Sequence, residues 1–352
     1  MSVVCFLGAT TPQGFRSFYD TLFQDPRLER ILILKGGAGC GKSTLMKAVG
    51  EEAERLGLST QRVLCSSDPD SLDGLLIPAA GLALVDGTAP HVVEPPLCAC
   101  GAEYVDLGRY YDSQKLKPVQ DALFALREEN ARQYGLATAC FRSAQSMSDV
   151  LLQLAQSVIT PQELNTCAAL LAPQTEQQKE ARTVPRFLAA FTPKGIRVCR
   201  SAMEQLCTRR LALLDDYGLH RQLFPQLQTL WGGSHLAGYE PLHPDVPFAL
   251  LFPGQDTACV ASSRLFPCHR EAACVCDLNT LVERRLSARQ REHALAAQTH
   301  RAALISEGLS YLTQAKALHD RMEQLYRPAV DFDGVTAVTE GIKKALEQRV
   351  RL

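Results

Sequence analysis

The stretch GGAGCGKS at residues 36–43 decides the fold of this chain. It fits the pattern G-x-x-x-x-G-K-[ST] without a mismatch. The apolar run RILIL at 30–34 comes before it and predicts a buried strand. The run TLMKAVGEEAERL at 44–56 comes after it, with its apolar residues at helical spacing. A strand, a glycine-rich loop and a helix in this order are typical of a loop that binds phosphate groups.

The composition of this loop suits phosphate binding. Glycines adopt positive φ angles and leave no Cβ in the way of a phosphate, so successive N–H groups form an anion nest beside the positive end of the helix dipole. Lys42 is expected to reach the β- and γ-phosphates, and the Ser43 hydroxyl to bind Mg²⁺. The residues predicted to contact the nucleotide are Gly36, Gly37, Ala38, Gly39, Cys40, Gly41, Lys42, Ser43 and Thr44.

An acidic segment follows the second predicted strand. The strand at 61–65 leads into SSDPDSLDG at 66–74, which is expected to be a loop at the sheet edge where ligands bind. Asp68 and Asp70 are candidate catalytic residues there, because a carboxylate can bind Mg²⁺, orient water or accept a proton. The alternative is a solvated turn in which an aspartate caps the local backbone.

The third predicted strand, at 81–85, ends at an aspartate. Asp86 is expected to hold Mg²⁺ from the side opposite Ser43 and so to take part in catalysis. Further along, Arg109 is a candidate for neutralising phosphate charge, and the tyrosines at 110–111 either stack on a base or simply pack.

Composition sets limits on location and partners. The chain has 352 residues with a formal net charge of −1, so no overall positive field favours nucleic acid or an anionic membrane. It contains no apolar run near 18 residues, and its N-terminus lacks the features of a signal peptide. Thirteen cysteines in a chain of this size are best explained as free thiols, so we expect a cytoplasmic protein.

An internal repeat indicates a duplication. FLGATTPQGF at 6–15 recurs as FLAAFTPKGI at 187–196, with six of ten positions identical. The predicted fold is therefore α/β, with tandem P-loop NTPase-like parallel-sheet domains and appended helical pairs. Residues 1–160 are assigned to a nucleotide-binding domain, 161–185 to a linker rich in Gln, Thr and Pro, and 186–352 to a degenerate second domain with C-terminal helices.

The second copy has a different loop. Its sequence DDYGLHRQL at 215–223 contains one glycine and no lysine. The carboxylates of Asp215 and Asp216 should repel a triphosphate, and the larger side chains keep the backbone away from it. We therefore expect one competent nucleotide site, in the N-terminal half.

The motifs together resemble the uncharacterised bacterial tandem P-loop ATPase family. The resemblance rests on the repeated N-terminal motif, the loop, CSSDPDSLDG at 65–74 and DGTAPHVV at 86–93, and it extends over essentially the whole chain. It implies ATP binding by two related P-loop NTPase halves, with no settled substrate. The family's first-half features carry over onto residues 36–44, Asp68, Asp70, Asp73, Asp86 and His91. Family members often keep a second glycine–lysine loop, which this chain lacks.

Three functions remain open at this point. The first is a Mg²⁺-dependent ATPase, in which Lys42 stabilises the transition state and an acidic side chain orients water. The second is a small-molecule kinase that uses the acidic loop, with Asp68 as base and residues 113–160 as a lid. The third is a nucleotide-gated interaction module without enzymatic activity. ATP is favoured over GTP because no guanine-specific motif is evident, and DNA binding is not expected. The sequence leaves open a homo-oligomer or a protein partner.

Overall fold

Two six-stranded mixed sheets form the framework of an α/β fold. The computed structural model describes residues 2–89, 92–97, 100–171, 182–268 and 272–351. His91 lies outside the described residues. The first half contains β1 (Ser2–Cys5), β2 (Gly8–Thr11), β3 (Gly14–Ser17), β4 (Arg30–Lys35), α1 (Lys42–Arg55), β5 (Thr60–Leu64), β6 (Leu72–Ile77), β7 (Leu82–Asp86), β8 (Ala102–Asp106), α2 (Ser113–Leu116), α3 (Gln120–Gln156) and α4 (Pro161–Leu171).

The second half repeats most of this series. It contains β9 (Thr183–Phe187), β10 (Ala189–Thr192), β11 (Gly195–Val198), α5 (Arg200–Leu206), β12 (Arg209–Leu214), α6 (His220–Trp231), β13 (His235–Tyr239), β14 (Ala249–Phe252), β15 (Thr257–Ser262), β16 (Cys274–Asp277), α7 (Leu278–Glu283), α8 (Ala288–Tyr326) and α9 (Phe332–Arg351). The strand order is β1-β5-β6-β7-β4-β8 in the first sheet and β9-β13-β14-β15-β12-β16 in the second, so the two sheets have the same topology.

The sheets are mixed, and the expectation of parallel sheets is wrong for one strand in each. β6 runs antiparallel to both β5 and β7, and β14 runs antiparallel to both β13 and β15. Residues 65–71 join β5 to β6, and this connection is too short for the crossover of a dozen or more residues that parallel neighbours need. The other pairs in the first sheet are parallel.

The strand and helix around the glycine-rich stretch form as predicted. β4 lies between β7 and β8, and residues 31–34 are each at most 3% exposed, which explains why this strand is apolar on both faces. α1 buries Leu45, Val49 and Ala53 against the sheet. β5 and β7 also match their predicted positions to within one or two residues.

The two long helices α3 and α8 pack against each other along their length. The Asn130 side chain donates to the carbonyl of Ala315 at 2.7 Å, while Arg301 donates to the Ser148 hydroxyl at 3.3 Å. Positions rise along one helix as they fall along the other, so the pair is antiparallel. Gly308 permits the closest approach, because a Cβ there would lie 2.4 Å from the Phe141 ring.

Each half receives a helix from the other. α9 packs on α1, where Arg55 and Glu347 form an ion pair of 3.4 Å. α4 packs on α6 of the second half. Residues 161–171 of the predicted linker 161–185 form this helix, and Leu164 and Ala168 give it a buried face. Residues 183–185 belong to β9, and 172–181 lie outside the described residues.

Two further observations concern the described part of the chain. None of its helices combines the length and the apolar composition that crossing a bilayer requires. The cysteines that the structure describes are free thiols.

Candidate functional site

The segment that joins β4 to α1, residues 36–41, is called here the N-terminal loop. Gly39 and Gly41 have φ angles of +71° and +90°, which side chains other than glycine adopt only with strain. Within the described residues, no amide from Gly37 to Ser43 donates a backbone hydrogen bond. These amides lie at the start of a 14-residue helix, where the helix dipole adds positive potential. The loop therefore offers free donors to an anion.

Lys42 and Asp86 are brought together beside the N-terminal loop. The Lys42 ammonium donates to the carbonyl oxygens of Gly36 at 2.5 Å and Gly37 at 2.9 Å, and lies 3.6 Å from Asp86 Oδ2. Both side chains are largely buried, with 11% and 13% of their surface exposed. Asp86 lies opposite Leu34 in the β4–β7 register, which places it at the strand ends that flank the loop. Because little solvent screens these two charges, their attraction is stronger than that of an ion pair on the surface.

Ser43 and Asp86 supply oxygen atoms of the kind that Mg²⁺ takes as ligands. Ser43 Oγ accepts a hydrogen bond from the Leu72 amide at 2.9 Å, which ties α1 to the start of β6. Asp86 Oδ1 accepts from the amide and the hydroxyl of Thr88 at 2.8 and 2.5 Å, while Oδ2 faces Lys42. Hydroxyl and carboxylate oxygens are the ligand types that Mg²⁺ prefers, so this donor set fits that ion.

The acidic segment 66–74 is partly loop and partly strand. Asp73, which the sequence placed in the loop, is buried in β6 and is only 5% exposed. It lies next to Cys65, and burial together with the charge of Asp73 raises the pKa of that thiol well above its ordinary value. The prediction failed because the loop between β5 and β6 ends at Ser71, earlier than the polar sequence suggests.

Asp68 and Asp70 are both engaged by lysines of the second half. Asp68 Oδ2 accepts from the Ser71 hydroxyl at 2.9 Å and lies 3.6 Å from the Lys316 ammonium. Asp70 forms an ion pair with Lys194, whose hydrogen bond and charge lower the pKa of the Asp70 carboxyl. The Lys47 ammonium of α1 donates to the Asp70 carbonyl at 2.6 Å, so this loop lies alongside the helix.

Residues from the C-terminal helices lie against the N-terminal loop, and no local feature of the sequence predicts this. A Cβ on Gly39 would lie 3.4 Å from the Glu323 carbonyl oxygen, and one on Gly41 would lie 3.4 Å from Val335. A hydrogen bond from His319 lowers the pKa of Glu323, and the nearby charges of Lys316 and Lys42 add to this effect. In the sequence, only the internal repeat indicated that the two halves would contact each other.

The three candidates at 109–111 line a cavity of about 310 Å³. Tyr111 connects this cavity to the N-terminal loop, because its hydroxyl donates to the Ala38 carbonyl at 2.7 Å. Burial raises the pKa of Tyr111, so its hydroxyl remains a donor. The Arg109 guanidinium lies 5.7 Å from the Tyr110 ring, close enough for a cation–π contact. The remaining wall comes from Asp112, Lys115 and residues 329–331.

The C-terminal loop, residues 215–219 between β12 and α6, already contains an anion of its own chain. The Asp215 carboxylate accepts hydrogen bonds from the amides of Tyr217 at 3.2 Å, Gly218 at 2.9 Å and His220 at 2.7 Å. Burial raises the pKa of Asp215, but the hydrogen bonds and charge of His220 outweigh it and the net pKa is lowered. The backbone donors at the start of α6 are therefore occupied, in contrast to those of the N-terminal loop.

Comparison of the chain with protein-family models, with curated proteins and with solved structures finds no match.

Proposed function

We propose that the N-terminal loop binds the phosphates of ATP and that the chain is a Mg²⁺-dependent ATPase with one competent site, built on a P-loop NTPase-like first half. The observation that carries the proposal is the difference between the two loops. In the C-terminal loop, three backbone amides at a helix start hold the Asp215 carboxylate. In the N-terminal loop, the amides have no backbone acceptor, and Lys42 lies over them.

The residues around the N-terminal loop would divide the work as follows. The amides and Lys42 would bind the phosphates, and Lys42 would exchange its contacts with the Gly36 and Gly37 carbonyls for phosphate oxygens. Ser43 and Asp86 would hold Mg²⁺, which supplies charge neutralisation on the transferred phosphoryl group. Asp68 would orient the attacking water, because it is the less exposed of the two loop carboxylates, at 28% against 68% for Asp70.

Titration calorimetry of the purified chain with MgATP tests the binding step directly. We expect saturable binding of one nucleotide per chain, followed by slow release of inorganic phosphate. Binding of two nucleotides per chain would contradict the assignment of one competent site. The absence of heat with MgATP and MgGTP at millimolar concentrations would overturn the proposal as a whole.

A nucleotide-gated interaction module is the second candidate, and one group of contacts favours it. Lys316 and Lys194 of the second half form ion pairs with the acidic loop, and a Cβ placed on Gly39 would lie 3.4 Å from the Glu323 carbonyl oxygen. A nucleotide at the N-terminal loop would therefore meet groups that belong to the other half. Tight MgATP binding without turnover, together with altered hydrogen exchange in α8 around 316–323, would favour this function over hydrolysis.

A further inference from the structure

The loop that carries Asp68, between β5 and β6, has a counterpart in the second half. Residues 60–86 correspond to 235–261 without a gap, because the pairing registers of β5, β6 and β7 are repeated in β13, β14 and β15. Asp68 therefore corresponds to His243. Contacts that both loops make can be explained by the fold, whereas contacts of the first loop alone need another explanation.

One ion pair between the halves is made at both loops. Asp70 pairs with Lys194 of the β10–β11 hairpin, and its counterpart Asp245 pairs with Arg16 of the β2–β3 hairpin. The same acidic position is thus paired with a cation of the other half in both cases. Because the second half lacks a glycine-rich loop, packing of the two halves explains this shared ion pair.

The long helices α3 and α8 also correspond. AQSMSDVLLQL at 144–154 aligns with AKALHDRMEQL at 315–325, which places Gln145 at the position of Lys316. The Gln145 amide donates to the Leu242 carbonyl at 2.9 Å, so it reaches the β13–β14 loop as Lys316 reaches the β5–β6 loop. Matching helix positions therefore contact matching loops, which supports the alignment.

The residues at these two matched positions differ together. In the first loop, Asp68 Oδ2 lies 3.6 Å from the Lys316 ammonium. In the second loop, His243 replaces Asp68 and interacts with Glu240 of its own half, with Nδ1 and Oε1 2.7 Å apart. The neutral Gln145 replaces Lys316. The carboxylate and its cation therefore occur together in the loop beside the glycine-rich segment, and neither occurs at the counterpart positions.

The two oxygens of the Asp68 carboxylate differ in their contacts. Oδ2 accepts a hydrogen bond from the Ser71 hydroxyl at 2.9 Å and faces the Lys316 ammonium. Among the described residues, Oδ1 accepts one long hydrogen bond, from the Asp70 amide at 3.4 Å. The orientation of the carboxylate is therefore set through Oδ2, and Oδ1 remains for a water molecule.

Lys316 is a cation at neutral pH. Burial disfavours its charge, but the hydrogen bond to Asp320 and the charges of Asp68 and Asp320 outweigh burial and raise its pKa. Asp320, one turn further along α8, pairs with the same ammonium. The side chains of Lys316 and Asp68 are 24% and 28% exposed, so solvent screens their attraction less than that of Lys194 and Asp70, at 61% and 68%.

We propose that Lys316 of the second half is a positioning residue for the reaction at the N-terminal loop. It holds Asp68 Oδ2 so that Oδ1 is directed at the attacking water. This inference rests on the proposed ATPase function, in which Asp68 orients that water. It gives the second half a task in hydrolysis although its own loop contains no lysine, because it supplies the charge that orders a carboxylate of the first half.

Steady-state phosphate release and MgATP calorimetry on the full chain test this role with two lysines that contact the same loop. Lys316→Gln gives position 316 the residue type of its counterpart, and it should lower kcat about 10-fold while MgATP affinity stays within about 2-fold. Lys316→Arg keeps the charge and should retain most of kcat. The matched control Lys194→Gln removes the ion pair with Asp70 and should leave kcat unchanged.

A double-mutant cycle separates positioning of Asp68 from a merely structural role. Adding Lys316→Gln to Asp68→Asn should lower kcat less than about 2-fold further, because the carboxylate through which the lysine acts is already gone. Glutamine and lysine have similar helix propensities, so α8 should fold, and retained MgATP binding confirms this for each variant. Lys316→Met, which keeps the apolar stem, is a second variant with the same expected loss.

The outcomes distinguish this inference from the function on which it rests. An unchanged kcat in K316Q, an equal loss in K194Q, or a full 10-fold loss on top of D68N would overturn the role of Lys316 and leave the ATPase standing. Absence of phosphate release by the unsubstituted chain would overturn the ATPase, and the role of Lys316 with it.

Discussion

Phe6 and Phe187 exchange two backbone hydrogen bonds, with N···O distances of 2.9 and 3.0 Å. The two residues occupy the same position in the repeated motif, the first residue of FLGATTPQGF and of FLAAFTPKGI. A contact in which a residue meets its own counterpart is what a two-fold axis produces in a symmetric dimer. The two halves of this chain are therefore joined as two subunits would be, with the axis passing between these phenylalanines.

Removing the Lys42 ammonium should abolish nucleotide binding. In Lys42→Ala the phosphates would lose the cation that lies over the N-terminal loop, and we expect MgATP affinity or turnover to fall by about 100-fold or more. Lys344→Ala is the matched control, because Lys344 is an exposed lysine on α9. Equal ATP turnover in K42A and the unsubstituted chain would place the reaction elsewhere.

Substitution of the two loop carboxylates should separate their roles. Asp68→Asn should lower kcat by about 100-fold while MgATP affinity is kept, because the amide cannot accept a proton from water. Asp70→Asn, which removes a largely exposed partner of Lys194, should change kcat little. The measurement is steady-state phosphate release together with binding calorimetry. A larger kcat loss in D70N than in D68N would reverse the assignment.

Two helical glycines should respond in opposite directions to alanine. Gly308→Ala would place a Cβ 2.4 Å from the Phe141 ring, and this overpacking should lower the free energy of unfolding by about 1–3 kcal/mol. Gly135→Ala on α3 meets nothing within 4 Å and should raise it by about 0.5–1 kcal/mol. Urea unfolding measures both, and Phe141→Leu in the G308A chain should restore part of the loss.

The stability of the chain should fall in acid partly through Asp25. Burial opposes ionisation of Asp25, but the hydrogen bonds and charge of Arg27 and the charge of Arg182 outweigh it and lower the pKa to about 2 from an ordinary 3.8. A carboxyl with a lowered folded-state pKa stabilises the fold above the ordinary value, and this contribution is lost as pH falls from about 4 to about 2. Asp25→Asn should reduce the change of the urea midpoint with pH across that window. Asp20→Asn, at an exposed position, should leave that pH dependence unchanged.

The parts of the site that the sequence predicted are those that local pattern determines. The run 30–34, the glycines and the apolar spacing after Lys42 are contiguous, so they were sufficient to place β4, the N-terminal loop and α1. Asp86 could be placed because it ends the next apolar strand. Local pattern could not reveal the burial of Asp73, since this depends on β6 pairing between two strands.

Long-range contacts account for what the sequence missed. Glu323 and Val335 reach the N-terminal loop from nearly 300 residues away in the chain, and nothing in their own neighbourhood indicates this. The two carboxylate–histidine pairs were hidden for a related reason. Asp215 was interpreted as a group that repels phosphate, but its oxygens accept hydrogen bonds from backbone amides and from His220. Only the folded geometry shows that this charge is neutralised locally.

The reciprocal placement of α4 and α9 has a consequence for the history and handling of this chain. Each half contributes its last helix to its neighbour, so no single cut between residues 171 and 183 yields two self-sufficient fragments. The first fragment would keep α4 without α6, on which it packs, and would lose α9 from α1. The second fragment would keep α9 without α1 and would lose α4 from α6. This is the arrangement that a domain-swapped dimer acquires once its subunits are fused into one polypeptide. After such a fusion, the second copy would have lost its glycine-rich loop while the first copy retained it.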